Sequence, residues 1–375
     1  AYNDENNNFK PLPFTTTRDS IATRVNKEGL IEVVGNNIPR IDYTDSADGV
    51  LLLENSSTNL VTYSEDFSNS VWNTGSTRSV TFVPTNTIDP QGNTNAYRVT
   101  STASDNQVAY LASIVSGQSY VNSIYVRRIS GNGNIVLRNV NNGEANFQVS
   151  VNDGWKRIDT SVTSTSTNGR LYVSLVTIGD VIEIWGAQLE QGSYPTSYIP
   201  TSGSTVTRQA DTANGAGNSE VFNDSEGVLF VDIAALATAP TRGITLGDGT
   251  SANRVQFFYN SSNVLKANVI NVGSQVTGFA YNGDANLFNK CALKYKVNDF
   301  AFWVNGFKIA VDTNGITPVG LNRLNFDNGV GTADFYGKTK EIAYYDTALT
   351  DAELETLTSY RSLNELVTEL NLNTL

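Results

Sequence analysis

Carboxylates must carry most of whatever catalysis this chain can do, because histidine is absent and cysteine occurs once. Without an imidazole there is no Ser-His-Asp triad, no Cys-His dyad and no histidine metal ligand. The single Cys291 excludes an internal disulfide and a thiolate zinc site, and in the apolar stretch Cys291-Ala292-Leu293 it reads as a small buried hydrophobe. What remains is carboxylates, Tyr, Lys and Ser/Lys pairs. Acid–base work by two carboxylates needs both on one side of an element, which on a strand means an even spacing. Glu341 and Asp346 have odd spacing and fall on opposite faces. Glu183 and Glu190 straddle Trp185 with Gly186 and Gln188 between them. No catalytic pair is expected, and the chain reads as a protein that is not an enzyme.

The elements that would position such residues are strands. The chain has 375 residues, 25 Lys+Arg against 37 Asp+Glu, and a net charge of −12. That balance offers no electrostatic footprint for nucleic acid or an anionic membrane. Charged residues make up 17%, low against roughly a quarter in ordinary domains, while Tyr and Phe reach 17 and 16. Aromatics amid Asn, Ser, Thr and Gly mark β structure with polar turns. No apolar run approaches the roughly 20 residues of a membrane-spanning helix, so no membrane insertion is expected. With no methionine and Ala1 first, the start reads as a trimmed Met-Ala without a secretory signal.

Short runs of period two, separated by Gly, Asn and Ser, predict strands at 80–83, 96–101, 108–114, 120–129, 134–140, 145–151, 156–163, 170–176 and 181–190. Residues 24–34 predict a short hairpin turning at Gly29. Phe300-Ala301-Phe302-Trp303-Val304, Asn305-Gly306 and 307–311 form the clearest hairpin, Asn-Gly being the preferred type I′ turn. The predicted fold class is all-β: two antiparallel β-sandwich (jelly-roll) domains in tandem, with an extended N-terminal arm and a short C-terminal helical tail. The expected division is an arm with a short hairpin over 1–58, a jelly roll over 59–211, a linker over 212–226, a second sandwich over 227–360 and a helical tail over 361–375. Thr350 and Glu353 form a capping box, and Ser362 with Glu365 a second. Leu363, Leu366, Val367 and Leu370 then recur as one apolar stripe. With Phe9 of the arm, these are the expected assembly contacts: a docking helix, and an extended segment able to add to a neighbour's sheet edge.

Two stretches resemble known families. Residues 24–67 carry R-V-N-x-x-G-L-I-E, P-R-I-D-Y, G-V-L-L-L-E and T-N-L-V-T-Y-S-E-D-F, with Trp72 shortly after. Residues 185–211 carry W-G-A-Q-L-E-x-G-x-x-P-T-S-Y-I-P-T and V-T-R-x-A-D. This bracketed arrangement resembles a recurrent module of phage tail, fibre and head-spike proteins, whose centre is a carbohydrate-binding-module-like jelly roll. From about Gly227 to Tyr360, the sequence resembles a concanavalin A-like (laminin-G-like) lectin/glucanase sandwich. Its marks are G-V-L-F-V-D-I, N-K-C-A-L-K-Y-K-V-N-D-F-A-F-W-V-N-G and the ending G-K-T-K-E-I-A-Y-Y-D-T-A-L-T-D-A-E-L. The acidic Glu-x-Asp-x-x-Glu strand of its glucanase members is missing.

The resemblance implies a virion structural protein (fibre, head fibre, spike, tail or decoration) on the particle surface. It would contact other capsid or tail proteins, form a homo-oligomer with a trimer favoured, and bind a host-surface glycan; no nucleic acid is expected. A tail glycan depolymerase and a bacterial surface adhesin are the alternatives. Both fold types commonly hold Ca2+, and Asp224 with Glu226, Asp248 in G-D-G-T-S-A-N, and Asp327 with Asn328 are the oxygen donors available. The same residue types also build turns. A sugar needs an exposed aromatic face beside planar polar groups. Trp72 in S-N-S-V-W-N-T and Trp155 after Asn152-Asp153-Gly154 are the expected carbohydrate-binding residues, while Trp185 and Trp303 read as core.

Overall fold

A computed structural model describes residues 2–3, 9–10, 13–72, 80–102, 106–139, 143–236 and 240–360. The chain folds into two compact units, each discontinuous in sequence. A three-segment unit takes Ala1–Arg18, Asn37–Asn55 and Ala210–Leu375; a two-segment unit takes Asp19–Asn36 and Ser56–Gln209.

The two-segment unit is a sandwich of antiparallel sheets. One runs in the order Lys156–Thr163, Ser119–Ser130, Val181–Gln191, Tyr97–Ser101, Val80–Pro84; the other runs Asn106–Ser113, Asn168–Leu175, Ile135–Arg138, Glu144–Phe147. Successive strands from Tyr97 onward alternate between the sheets except for the hairpin Ile135–Arg138 with Glu144–Phe147, which stays in one sheet, and this gives the strand order of a jelly roll. Inward residues of both sheets meet in one core, among them Val99, Ile124, Ile182 and Ile184 against Val108, Leu137, Leu171 and Val173. Alternating side chains bury one face and leave turns to Asn, Ser and Gly. The pairing slips twice in the longest ladder, between Ser123 and Tyr125 and between Arg128 and Ser130. Ser123 faces Gln188 and Tyr125 faces Trp185, so Ile124 stands opposite both Gly186 and Ala187. Gly186 has φ +64, and an added Cβ would come within 3.3 Å of both the Tyr125 and Tyr198 rings. This β-bulge is why the W-G-A-Q motif carries glycine there. The hairpin Ala22–Val25 with Ile31–Val34 also belongs to this unit.

The three-segment unit is a second sandwich. Its larger sheet includes Gly337–Tyr345, Glu226–Ala235, Asn289–Lys296, Phe300–Val304 and Phe307–Asp312 in that order. Its smaller sheet runs Ser274–Tyr281, Leu265–Asn271, Arg254–Tyr259, Arg242–Gly247, Arg323–Asn325. Leu229, Val231, Phe257, Val269, Leu293 and Phe302 lie in the core between them. The helix Asp351–Thr358 starts in the expected box, Thr350 accepting from Glu353 N and Glu353 reaching back. Its Leu354 packs with Phe230, Ala301 and Trp303 in a second cluster. The Asn305-Gly306 turn is as expected, both residues having positive φ.

Two expected segments are not separate. Residues 1–58 are shared between both units rather than forming an arm. Arg40–Asp42 pairs with Val50–Leu53, which pairs with Gly337–Tyr345. Tyr2–Asn3 joins the same strand at Tyr344 and pairs with Phe9–Lys10, so the backbone at Phe9 is bound within this sheet rather than to a neighbour. The expected linker 212–226 is structural: Thr212–Asn214 pairs with Thr15–Thr17, and Ala213, Ala216 and Phe222 are core residues. The reason is chemical. Arg40 is fully buried and bonds Glu54 at 2.6 Å and Asp211, while Arg18 bonds Asp211 at 2.8 Å. Burial alone would lower the Arg40 pKa, but the fields of Glu54 and Asp211 outweigh it and hold it above its ordinary value. Residues of P-R-I-D, L-L-L-E and V-T-R-x-A-D thus meet in one buried ion cluster. Leu363, Leu366, Val367 and Leu370 lie outside the described residues.

Candidate functional site

A cleft of about 460 Å³ opens in the two-segment unit, inside the roughly 300–1,000 Å³ range of small-ligand sites. Three stretches of chain build it, each fixed by a buried polar residue. The first is 57–68. Asn59 is fully buried; its amide donates to the carbonyls of Ala187 (3.1 Å) and Ile199 (2.8 Å), and its oxygen accepts from the N–H groups of Val61 and Leu189. This ties the stretch to the strand Val181–Gln191 and sets Tyr63, Glu65 and Asp66 on one wall.

The second is 196–202. Buried Glu190 accepts from the Thr196 N–H (2.8 Å) and hydroxyl (2.7 Å) and from Ser57, while Gln188 accepts from the Ile199 N–H at 2.7 Å. The Ser64 hydroxyl accepts from the Thr201 N–H at 2.9 Å. Pro200, Thr201 and Ser202 therefore form the floor beside Tyr63. The third is 84–97. Buried Asp89 accepts from the N–H groups of Gln91, Asn93 and Asn95 at 2.8–3.1 Å, and this loop presents Thr94, Asn95 and Tyr97.

The polar groups of the cleft are unequally used. Tyr97 donates to Asp66 Oδ1 at 3.1 Å, and the Ser68 hydroxyl and N–H donate to the same oxygen. The Ser68 hydroxyl is the largest influence holding the Asp66 carboxyl below the usual carboxylate range. Glu65 accepts from the Tyr198 hydroxyl at 2.9 Å through Oε1; its Oε2 has no donor among the described residues. Burial raises the Glu65 pKa, the Tyr198 bond opposes this, and Asp89 adds to it. The Tyr63 hydroxyl and the Asn95 side-chain amide have no partner among the described residues. Among the described residues, no Lys or Arg lines the cleft. Two phenolic rings, a free carboxylate oxygen and a free amide can hold a polar, ring-shaped, hydroxylated molecule.

Trp72 is not an exposed platform. It is fully buried, 4.6 Å from Phe67 and 5.3 Å from Tyr110, and its indole N–H donates to the Tyr63 carbonyl at 2.9 Å. A single turn at Ser70–Trp72 folds the ring inward to close the core, so it supports Tyr63 from beneath. Trp155 is half-buried, outside the cleft. Its N–H donates to the Ile88 carbonyl, and the Arg127 guanidinium lies 5.6 Å from its ring centre. Trp185 and Trp303 are buried as expected.

The candidate Ca2+ donors do not converge. Asp224 accepts from the Gly320 and Leu321 N–H groups, Glu226 from Lys296 and the Ala348 N–H, and Asp248 from Thr250 and Asn253. Asp327 accepts from the Gly329 N–H. Among the described residues no three His, Cys, Asp or Glu side chains form a group that could hold a metal ion; Asp248 and Asp327 accept within their own turns, while Asp224 and Glu226 tie distant segments together. Glu183, in turn, bonds Arg98 (2.8 Å) and Arg127 (2.5 Å), and with Glu190 it is buried and structural.

No protein-family model and no curated protein matches the sequence. Among solved structures, the carbohydrate-binding module CBM40 of the Ruminococcus gnavus IT-sialidase, bound to α2,3-sialyllactose, is similar at 16% identity. That match covers 39% of this chain and 94% of that one, with TM-score 0.34. A SAP-like pentraxin of Limulus polyphemus is similar at 13% identity over 37% of this chain and 71% of that one, TM-score 0.30. Mouse laminin α1 LG4-5 is similar at 9% identity over 77% and 96%, TM-score 0.27. The strand order and the two cores carry the assignment of the chain as two antiparallel β-sandwiches.

Proposed function

We propose that this protein is a non-catalytic, glycan-binding structural component of a phage particle surface, with the Tyr63–Tyr97 cleft as its sugar site. The observation that carries the binding reading is the cleft itself. It combines two half-buried tyrosines with the unused Glu65 oxygen, the unused Tyr63 hydroxyl and the unused Asn95 amide. The particle context rests on the bracketed sequence resemblance, several of whose residues have structural work here: Asn59, Gly186, Gln188 and Glu190 shape the jelly roll, and Arg40, Glu54 and Asp211 close the other unit. Partners among capsid or tail proteins, and a trimeric state, belong to the same proposal.

Hydrolysis by a depolymerase is the second reading. Adjacent carboxyls with pKa values pushed apart are what acid–base catalysis uses. Against it, Asp66 Oδ1 is already taken by Tyr97 and Ser68, bonds that weaken the carboxylate as a nucleophile. The test is a glycan array with the whole protein and its Tyr63→Ala variant, followed by a reducing-end assay on each hit. Binding that Tyr63→Ala lowers at least tenfold, without product release, is expected. Binding unmoved by the substitution rules out the cleft, and product release lost in Glu65→Gln establishes the enzyme.

A further inference from the structure

We infer that the cleft selects uncharged saccharides and rejects those bearing carboxylate or sulfate groups; this rests on the glycan-binding reading above. Its two charged lining residues, Glu65 and Asp66, are both acids, and buried Asp89 stands behind the loop that carries Asn95. The nearby cations are committed elsewhere. Arg98, next to Tyr97, alternates to the other face of its strand and bonds Glu183 at 2.8 Å. Arg127 bonds the second oxygen of Glu183. Arg157 donates to the Thr196 carbonyl at 2.6 Å and to Ser123 at 2.8 Å. An acidic sugar would therefore place its charge in a partly desolvated space facing like charges with no free counter-ion among the described residues, where repulsion is little screened.

A neutral sugar meets the opposite situation. Its hydroxyl protons fit Glu65 Oε2, which has no donor of its own, while the Asn95 amide supplies both a donor and an acceptor. A carboxylate accepts hydroxyl hydrogen bonds more strongly than a neutral oxygen does. The same acid thus attracts polyols and repels anions.

The experiment measures whole-protein affinity for matched pairs: N-acetyllactosamine and its sialylated form, mannan and mannuronan, dextran and dextran sulfate. For any pair whose neutral member binds, the acidic member should bind at least about tenfold more weakly, as like charges brought together at an interface require. Glu65→Gln should narrow that gap while lowering neutral binding, and added salt should narrow it too. Acidic members binding as well as neutral ones, with both lost in Tyr63→Ala, would overturn the selectivity and leave the cleft as the sugar site. Binding of no pair, or binding indifferent to Tyr63→Ala, would overturn the glycan-binding reading and this inference with it.

Discussion

Both units bring carboxylates together, and they treat them in opposite ways. In the three-segment unit Glu54 and Asp211 are buried against Arg40 and Arg18, every charge facing an opposite one. In the cleft of the two-segment unit Glu65 and Asp66 have hydroxyls and backbone N–H groups for company and no lining cation among the described residues. A saturated cluster has nothing left to offer a ligand and holds chain segments together. An unsaturated one has spare acceptors and spare charge. The degree of saturation, more than the residue types, separates architecture from site.

The largest effect should come from breaking the saturated cluster. Arg40→Ala takes the Arg40 cation from buried Glu54 and leaves Asp211 to Arg18, and removing one partner of a buried pair costs about 3–5 kcal/mol. Denaturant unfolding should show that loss; a change below about 1 kcal/mol would mean that the cluster is not holding the segments. The cleft should answer more gently, with two neighbouring acids moving in opposite directions. The raised Glu65 pKa means that its charged form weakens the fold at neutral pH. Glu65→Gln should therefore be slightly more stable than wild type at pH 7. The difference should close as pH falls from the raised native value through the ordinary glutamate range. The lowered Asp66 pKa means the reverse. Asp66→Asn should be less stable above the usual aspartate range, and that deficit should vanish as pH falls through the depressed native value. Stability curves for both variants that move in the same direction would erase the distinction between the two acids. The smallest expected effect is none. A bound ion stabilises in proportion to ln(1 + [L]/Kd), so millimolar Ca2+ or a chelator should leave the melting temperature within about 1 °C if Asp224, Glu226 and Asp248 are satisfied by the protein donors they already have.

Strands were legible because alternation is local. The Asn305-Gly306 hairpin and the Thr350 box follow from a few adjacent residues, and the structure has both. The division of the chain was not legible. Arg18, Arg40, Glu54 and Asp211 lie far apart in sequence, and no local pattern announces that they meet. Residues 212–226 have the polar, glycine-rich look of a linker, yet Ala213, Ala216 and Phe222 are core, because a few apolar side chains suffice to seat such a stretch. Trp72 does lie in a turn, but local composition does not say whether a turn aims its ring at solvent or at Phe67. The cleft is not legible from tryptophan positions because its aromatic rings are the tyrosines Tyr63 and Tyr97. The signal was present in T-N-L-V-T-Y-S-E-D-F, where an aromatic and two acids crowd together, but the wall carrying Tyr97 comes from another strand.

The pairing of Val50–Leu53 with Gly337–Tyr345 has a consequence for how the chain is made. Leu53 leaves the ribosome roughly 280 residues ahead of its partner Gly337, which at about 5–20 residues per second is tens of seconds. Throughout that interval the strand Val50–Leu53 has its neighbour Arg40–Asp42 on one edge and nothing to join on the other, while the strands of the other unit, all encoded before residue 210, emerge together and can fold on schedule. Vectorial synthesis therefore imposes an order. The jelly roll is complete while the earliest strands of its companion still wait, and a chain released early would carry a finished jelly roll and an unpaired, aggregation-prone edge.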